Sequence, residues 1–176
     1  MNKNKQTPRL VWFTGLSGAG KTTLANALHK KLSEQGFSSY VLDGDNIRCG
    51  INRDLSFSPQ DRSENIRRVI EIASLFLDAG IIVITAFISP YEKDRQKAKN
   101  KIGKANFIEV YLSTPLDVCE SRDVKNLYKK ARSGEITDFT GINAPYEVPI
   151  SADIKIDTSN LSIEKSVDKI LKCVFK

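Results

Sequence analysis

Apolar residues along this chain fall into short continuous runs that alternate with stretches of helical periodicity. Residues 10–14 (Leu-Val-Trp-Phe-Thr) form the first run, and a helical pattern follows over 23–32. Residues 37–42 read as a second strand that ends at Asp43. Ser58-Pro59-Gln60-Asp61 opens a long helix in which Ile66, Val69, Ile70, Ala73 and Leu77 line one face until Gly80 ends it. Residues 81–87 are continuously apolar, as a central parallel strand buried on both faces should be. A charged helix is expected over 91–102, a fourth strand over 107–112 and a helix from Pro115. Residues 125–149 are polar, carry Gly and Pro, and read as a mobile cover. A short strand over 153–157 and a helix over 163–174 close the pattern. Strands alternating with helices imply a three-layer α/β fold with a mainly parallel five-stranded sheet and helices on both faces. In such sheets ligands sit beyond the carboxyl ends of the strands.

The chemistry begins at one of those ends. Gly15-Leu16-Ser17-Gly18-Ala19-Gly20-Lys21-Thr22 has the form G-x-x-x-x-G-K-[ST], follows the first strand and opens the first helix. In that context the run is a P-loop. The glycines let successive backbone N–H groups turn inward toward phosphate oxygens, and the helix adds its positive end. Lys21 can reach the β- and γ-phosphates, and Thr22 with its neighbour Thr23 offers hydroxyls, that of Thr22 to Mg²⁺. A nucleoside triphosphate is therefore expected, bound by residues 15–23, in a P-loop NTPase fold. A GTPase would also carry N-K-x-D, which is absent; Asp138-Phe139-Thr140-Gly141 matches D-x-x-G but follows no buried strand.

A small-molecule kinase needs acids beside the P-loop to handle the acceptor hydroxyl. Leu42-Asp43-Gly44-Asp45-Asn46-Ile47-Arg48 supplies two. One carboxylate can serve a metal ion while the other positions or deprotonates a hydroxyl; the residues alone do not say which. Asp-Gly-Asp is also an ordinary turn and helix cap, and only the adjacent P-loop makes the catalytic reading the stronger one.

These two runs resemble the adenylylsulfate (APS) kinases. So do Asp61-Arg62-Ser63-Glu64-Asn65-Ile66-Arg67-Arg68, Thr85-Ala86-Phe87-Ile88-Ser89-Pro90-Tyr91, Lys129-Lys130-Ala131-Arg132-Ser133-Gly134-Glu135, Phe139-Thr140-Gly141-Ile142 and Pro145-Tyr146-Glu147. The likeness runs from Val11 to about Thr158. It implies transfer of the ATP γ-phosphate to the ribose 3′-hydroxyl of adenylylsulfate, giving 3′-phosphoadenylylsulfate and ADP. Catalysis would rest on Lys21, Asp43, Asp45 and Ser89, with Mg²⁺ on Thr22 and Asp43. Arg48, Arg62 and Asn65 would hold the acceptor's phosphosulfate and ribose, and Phe57 and Phe139 would sandwich its base, although either ring could be core. Ile88 and Ser89 would touch the acceptor; Arg122 and Lys125 would approach the nucleotides from the lid. The resemblance describes the serine as a phosphoserine intermediate. No histidine or evident base lies near it in sequence, so direct in-line transfer is expected, with Ser89 contacting substrate.

The chain departs from the family pattern at Cys49 (commonly His), Ser56 (usually Gly), Val124 (Pro) and Asn126 (Gly). Several of these border the acceptor pocket or lid, so a relative's acceptor, cytidine diphosphoramidate of capsule decoration, stays as an alternative. A catalytically inactive nucleotide-binding regulator is a more distant one.

Composition adds limits. At 176 residues, one kinase domain is expected, with residues 1–8 a flexible polar lead-in. Three cysteines without a C-x-x-C pair, and one histidine, leave no credible zinc cluster and fit a reducing cytoplasm. The formal charge of +6 is spread along the chain, its densest cluster over 93–104 reading as a solvated helix face. It fits small anionic substrates rather than nucleic acid, and no apolar run is long enough for a membrane span. A homodimer follows from the resemblance alone.

Overall fold

Strand β1 (Leu10–Gly15) buries all 6 of its residues, and its side chains divide by parity. Val11 and Phe13 join one apolar cluster, Leu10 and Trp12 the other, so the strand has core on both faces. In this computed structural model, which describes residues 6–176, the other elements repeat that logic. They are α1 (Lys21–Glu34), β2 (Ser39–Asp43), α2 (Gly44–Cys49), α3 (Pro59–Asp78), β3 (Ile82–Ala86), α4 (Glu92–Ile102), β4 (Phe107–Leu112), α5 (Leu116–Arg122), α6 (Leu127–Arg132), β5 (Ile154–Ile156) and α7 (Ile163–Val174). The strands pair in parallel in the order β2-β3-β1-β4-β5. α1 and α7 cover one face through Leu24, Leu28, Leu32 and Ile170. The long apolar stripe of α3 covers the other through Ile66, Val69, Ile70 and Ala73. The expected three-layer α/β architecture is the one found.

Local signals set several boundaries. Ser58 caps α3 by accepting the Asp61 N–H at 3.1 Å, with Pro59 in the first turn. Ser162 caps α7 in the same way.

The Asp-Gly-Asp run caps a helix, one of the two roles expected of it: the Asp43 carboxylate accepts the Asp45 N–H at 2.9 Å at the start of α2. Three expectations need correction. The cover over 125–149 is not wholly irregular: α6 lies inside it and buries Tyr128 and Ala131 in the core. The basic stretch of α4 is solvated at Lys93, Lys97, Lys101 and Lys104, but Asp94 and Arg95 are buried. Most of the lead-in over 1–8 lies outside the described residues, yet Gln6 is docked, its amide exchanging hydrogen bonds with the Ser38 backbone at 2.9 Å each.

The buried Arg95 has a partner on the same face of the sheet. Its Nε lies 3.1 Å from Oε1 of Glu109 on β4, an ion pair whose N–H is not aimed closely enough for a good hydrogen bond. Burial pushes the Glu109 carboxyl above its usual range, and the Arg95 charge opposes that rise.

Candidate functional site

Beyond the carboxyl ends of β1, β2 and β3 lies a cavity of about 890 Å³. It is lined by the P-loop, by Asp43 and Asp45, by Arg48, Phe57, Arg62 and Asn65, by Ile88 and Ser89, and by Arg122, Lys125 and Phe139. Sequence positions more than a hundred residues apart therefore share one space. Of the expected site residues, Gly15, Leu16 and Ala19 stand behind this lining, shaping the loop's backbone rather than facing the cavity.

The P-loop depends on glycine for steric reasons visible at two positions. At Gly18 φ is +75° and an added Cβ would lie 2.7 Å from the Cys119 carbonyl oxygen. At Gly15 it would lie 2.8 Å from the Leu112 carbonyl oxygen. Lys21 folds back over the loop, its ammonium donating to the Gly15 and Leu16 carbonyls at 2.9 and 2.7 Å. Burial pulls this ammonium down to about 8, only partly offset by Cys119 and Asp43. A polyanion beside it favours the charged form and raises that value. Nucleotide affinity is therefore expected to be full below pH 8 and to fall as pH rises above it, with net proton uptake on binding near pH 8.5. Titration calorimetry in two buffers of different ionisation enthalpy checks this; equal observed enthalpies in both would contradict it.

Asp43 and Asp45 are distinguished by their surroundings. The Asp43 carboxylate is nearly buried, with Oδ1 accepting the Asp45 N–H and Oδ2 accepting the Thr22 hydroxyl at 2.7 Å. Asp45 is 68% exposed and its carboxylate is ion-paired with Lys125 of the cover segment, across the cavity mouth. Among the described residues no group of three or more His, Cys, Asp or Glu could hold a metal ion unaided. The Thr22–Asp43 pair suits Mg²⁺, which takes one or two protein oxygens and completes its shell with phosphate and water.

The residues expected on the acceptor side are partly engaged within the protein. Arg48 lies 4.4 Å from the centre of the exposed Phe57 ring and donates to the Ser56 carbonyl at 3.0 Å. Arg62 is nearly buried and ties two walls together: it donates to the Phe57 carbonyl at 2.9 Å, to the Thr140 hydroxyl at 3.0 Å and to the Asp138 carbonyl. Part of its donor set is thus structural, leaving two of its five N–H groups for an anion. The Asn65 amide oxygen is taken by Asn52 at 3.0 Å. Phe139 is both wall and core, edge-on to Tyr128 at 4.9 Å.

Ser89 has left-handed backbone, with φ +42°, a conformation that costs a non-glycine residue about 1–2 kcal/mol. Its Oγ accepts the Trp12 indole N–H at 3.1 Å. That donor reduces the nucleophilicity of the oxygen and leaves its own proton free to donate into the cavity. Arg122 donates to the Gly18 carbonyl at 3.1 Å and to the Thr158 hydroxyl at 2.8 Å.

Sequence reasoning missed Thr158 and Trp12 as site residues. Thr158 had a usable signal, since it follows the end of β5 on the same side of the sheet as the P-loop. Trp12 had none, because a strand tryptophan looks like core. Asn126 has φ +54°, a conformation that asparagine is among the few residues besides glycine to tolerate.

Known proteins share this fold. The adenylylsulphate kinase family model matches residues 7–157. An adenylyl-sulfate kinase of Lactiplantibacillus plantarum is 59% identical over 162 residues, covering 92% of this chain and 78% of that one. The Mycobacterium tuberculosis APS kinase CysC, solved in complex with AMPPNP and APS, superposes with a TM-score of 0.93 at 44% identity, covering 97% of this chain and 99% of that one. A hexameric APS kinase from Thiobacillus denitrificans gives 0.73 at 32% identity, covering 97% of this chain and 29% of that one. With most of its length matched by the family model and by these relatives, the chain belongs to the adenylylsulphate kinase family of ATP-dependent kinases.

Proposed function

We propose that this chain transfers the γ-phosphate of ATP to the 3′-hydroxyl of adenylylsulfate. The observation that carries the reading is one cavity joining a P-loop to an exposed carboxylate, Asp45, and an aromatic–arginine pair, Phe57 and Arg48. The P-loop amides and Lys21 hold the donor phosphates, and Arg122 reaches the same loop from α5. Thr22 and Asp43 would hold Mg²⁺, which when bound neutralises charge on the donor phosphates. Asp43 is committed to Thr22 and to the α2 cap, so Asp45, once Lys125 leaves it, is the carboxylate that takes the proton. In the transfer, the 3′-oxygen forms a bond to the γ-phosphorus and the bond to the β–γ bridging oxygen breaks. ADP leaves and the hydroxyl proton passes to the Asp45 carboxylate. Arg48 and the free N–H groups of Arg62 would meet the phosphosulfate, Asn65 and Ile88 would border the ribose, and Phe57 and Phe139 would flank the base. Ser89 donates to substrate rather than carrying phosphate, a role its Trp12 contact supports. Lys125, released from Asp45, would turn to the transferred phosphoryl group.

The chain acts in this reading as one kinase domain, with residues 125–149 as its lid. Its free cysteines, Cys49, Cys119 and Cys173, fit a reducing cytoplasm, and no described helix is long and apolar enough to cross a membrane. A homodimer is part of the reading; light scattering should give twice the chain mass, and a monomer contradicts it. The test of the acceptor is ADP release with ATP, Mg²⁺ and either adenylylsulfate or cytidine diphosphoramidate. Turnover with adenylylsulfate at least about a hundredfold more efficient in kcat/KM is expected, the discrimination that a site of buried hydrogen-bonding groups can reach. Preference for the cytidine compound would overturn the assignment, and nucleotide binding without turnover of any acceptor would favour a regulator.

A further inference from the structure

We propose that Arg95, a residue of α4 outside the cavity, is a positioning residue that fixes the Ser89 turn of the acceptor pocket to the far end of the lid. The inference deepens the reading above and rests on it for the identity of the acceptor. Its guanidinium is 1% exposed and sits where four pieces of chain meet. One terminal nitrogen donates to the Ser89 carbonyl at 2.7 Å. The other donates to the Glu147 carbonyl at 2.6 Å and pairs with Glu92, while Nε faces Glu109.

The Ser89 carbonyl belongs to a left-handed serine, a conformation that persists only where its surroundings over-determine it. The surroundings are the lid's last residues. Glu147 donates its N–H to the Pro90 carbonyl at 2.8 Å and its carboxylate accepts the Glu92 N–H at 2.6 Å. The Tyr146 hydroxyl and the Thr14 hydroxyl lie 2.9 Å apart, and Thr14 also donates to the Ile88 carbonyl at 2.7 Å. The Ser89 turn is therefore clasped to residues 146–147, with Arg95 bonded to both sides of the clasp. A lysine keeps the charge but lacks the planar fork that reaches two carbonyls at once.

The chain contains a single tryptophan, Trp12, and its indole N–H is bonded to the Ser89 hydroxyl, so its fluorescence reports on the turn without any substrate. Two variants of the full chain test the proposal: Arg95→Lys and the milder Tyr146→Phe, which keeps the guanidinium. For Arg95→Lys, kcat/KM for adenylylsulfate should fall about tenfold while KM for ATP stays within about twofold. Acrylamide quenching of Trp12 should rise in both variants, and kcat/KM of the double variant that combines them should fall by less than the product of the two single losses, because both act on one turn. Wild-type kinetics and quenching in folded Arg95→Lys would overturn the proposal. If that variant does not fold, unchanged quenching and acceptor kinetics in Tyr146→Phe would overturn it instead. Altered Trp12 quenching in an enzyme whose wild type does not use adenylylsulfate would support the clasp and sink the acceptor assignment.

Discussion

Replacing Lys21 by alanine is expected to lower kcat by about a thousandfold, near 4 kcal/mol of transition-state stabilisation. Phosphoryl transfer spreads charge over the equatorial oxygens of the moving group, and catalysis there is positioning plus electrostatics. Lys21 is the cation built into the loop itself, held against the Gly15 and Leu16 carbonyls and largely removed from water. A charge in such surroundings counts for more than one in solvent. Lys125 is another cation on the cavity wall, but it is 56% exposed and its charge is screened by solvent, so it cannot replace Lys21. Steady-state kinetics with saturating ATP check the prediction, and turnover within tenfold of wild type would remove Lys21 from its assigned role.

Asp45→Asn is expected to have the second largest effect, a fall in kcat of about 10²–10⁴-fold with KM for ATP changed by less than about threefold. The amide keeps the shape of the carboxylate and loses its capacity to take a proton. Stability should barely change. The Asp45–Lys125 pair joins two mostly exposed side chains, and such pairs contribute no more than about 1 kcal/mol. Asp43→Asn should behave differently. Its carboxylate accepts from Thr22 and caps α2, so the variant should raise KM for MgATP and lower the melting temperature. If Asp45→Asn weakened only ATP binding while Asp43→Asn removed turnover alone, the two roles would have to be exchanged.

The sheet and the donor half of the site were legible because their determinants are local. Buried parallel strands announce themselves as continuous apolar runs, and a P-loop fixes its backbone through glycines close in sequence. The two aspartates were legible as a pair but not as individuals. What separates them, the contacts of Asp43 with Thr22 and of Asp45 with Lys125, joins segments far apart in the chain. Helix α6 escaped notice because 6 residues with two buried positions carry no readable period. In α4 the buried stripe is Asp94, Arg95 and Ala98, so the charges that normally mark a solvated face concealed an inward one. Arg95 makes sense only once Glu109, Ser89 and Glu147 are brought around it. The D-x-x-G run offers the converse case. It marks no nucleotide switch, and glycine is favoured at 141 by its φ of +91°, a backbone conformation that L side chains rarely adopt.

The central claim, that the cavity passes a phosphoryl group from ATP to the ribose of adenylylsulfate, is tested most directly by identifying the product. Phosphorus NMR of a reaction containing the purified chain, MgATP and adenylylsulfate should show one new phosphomonoester resonance, coupled to the ribose 3′-proton, growing in step with ADP. Inorganic phosphate in place of that resonance, or a phosphomonoester at another position, would contradict the account.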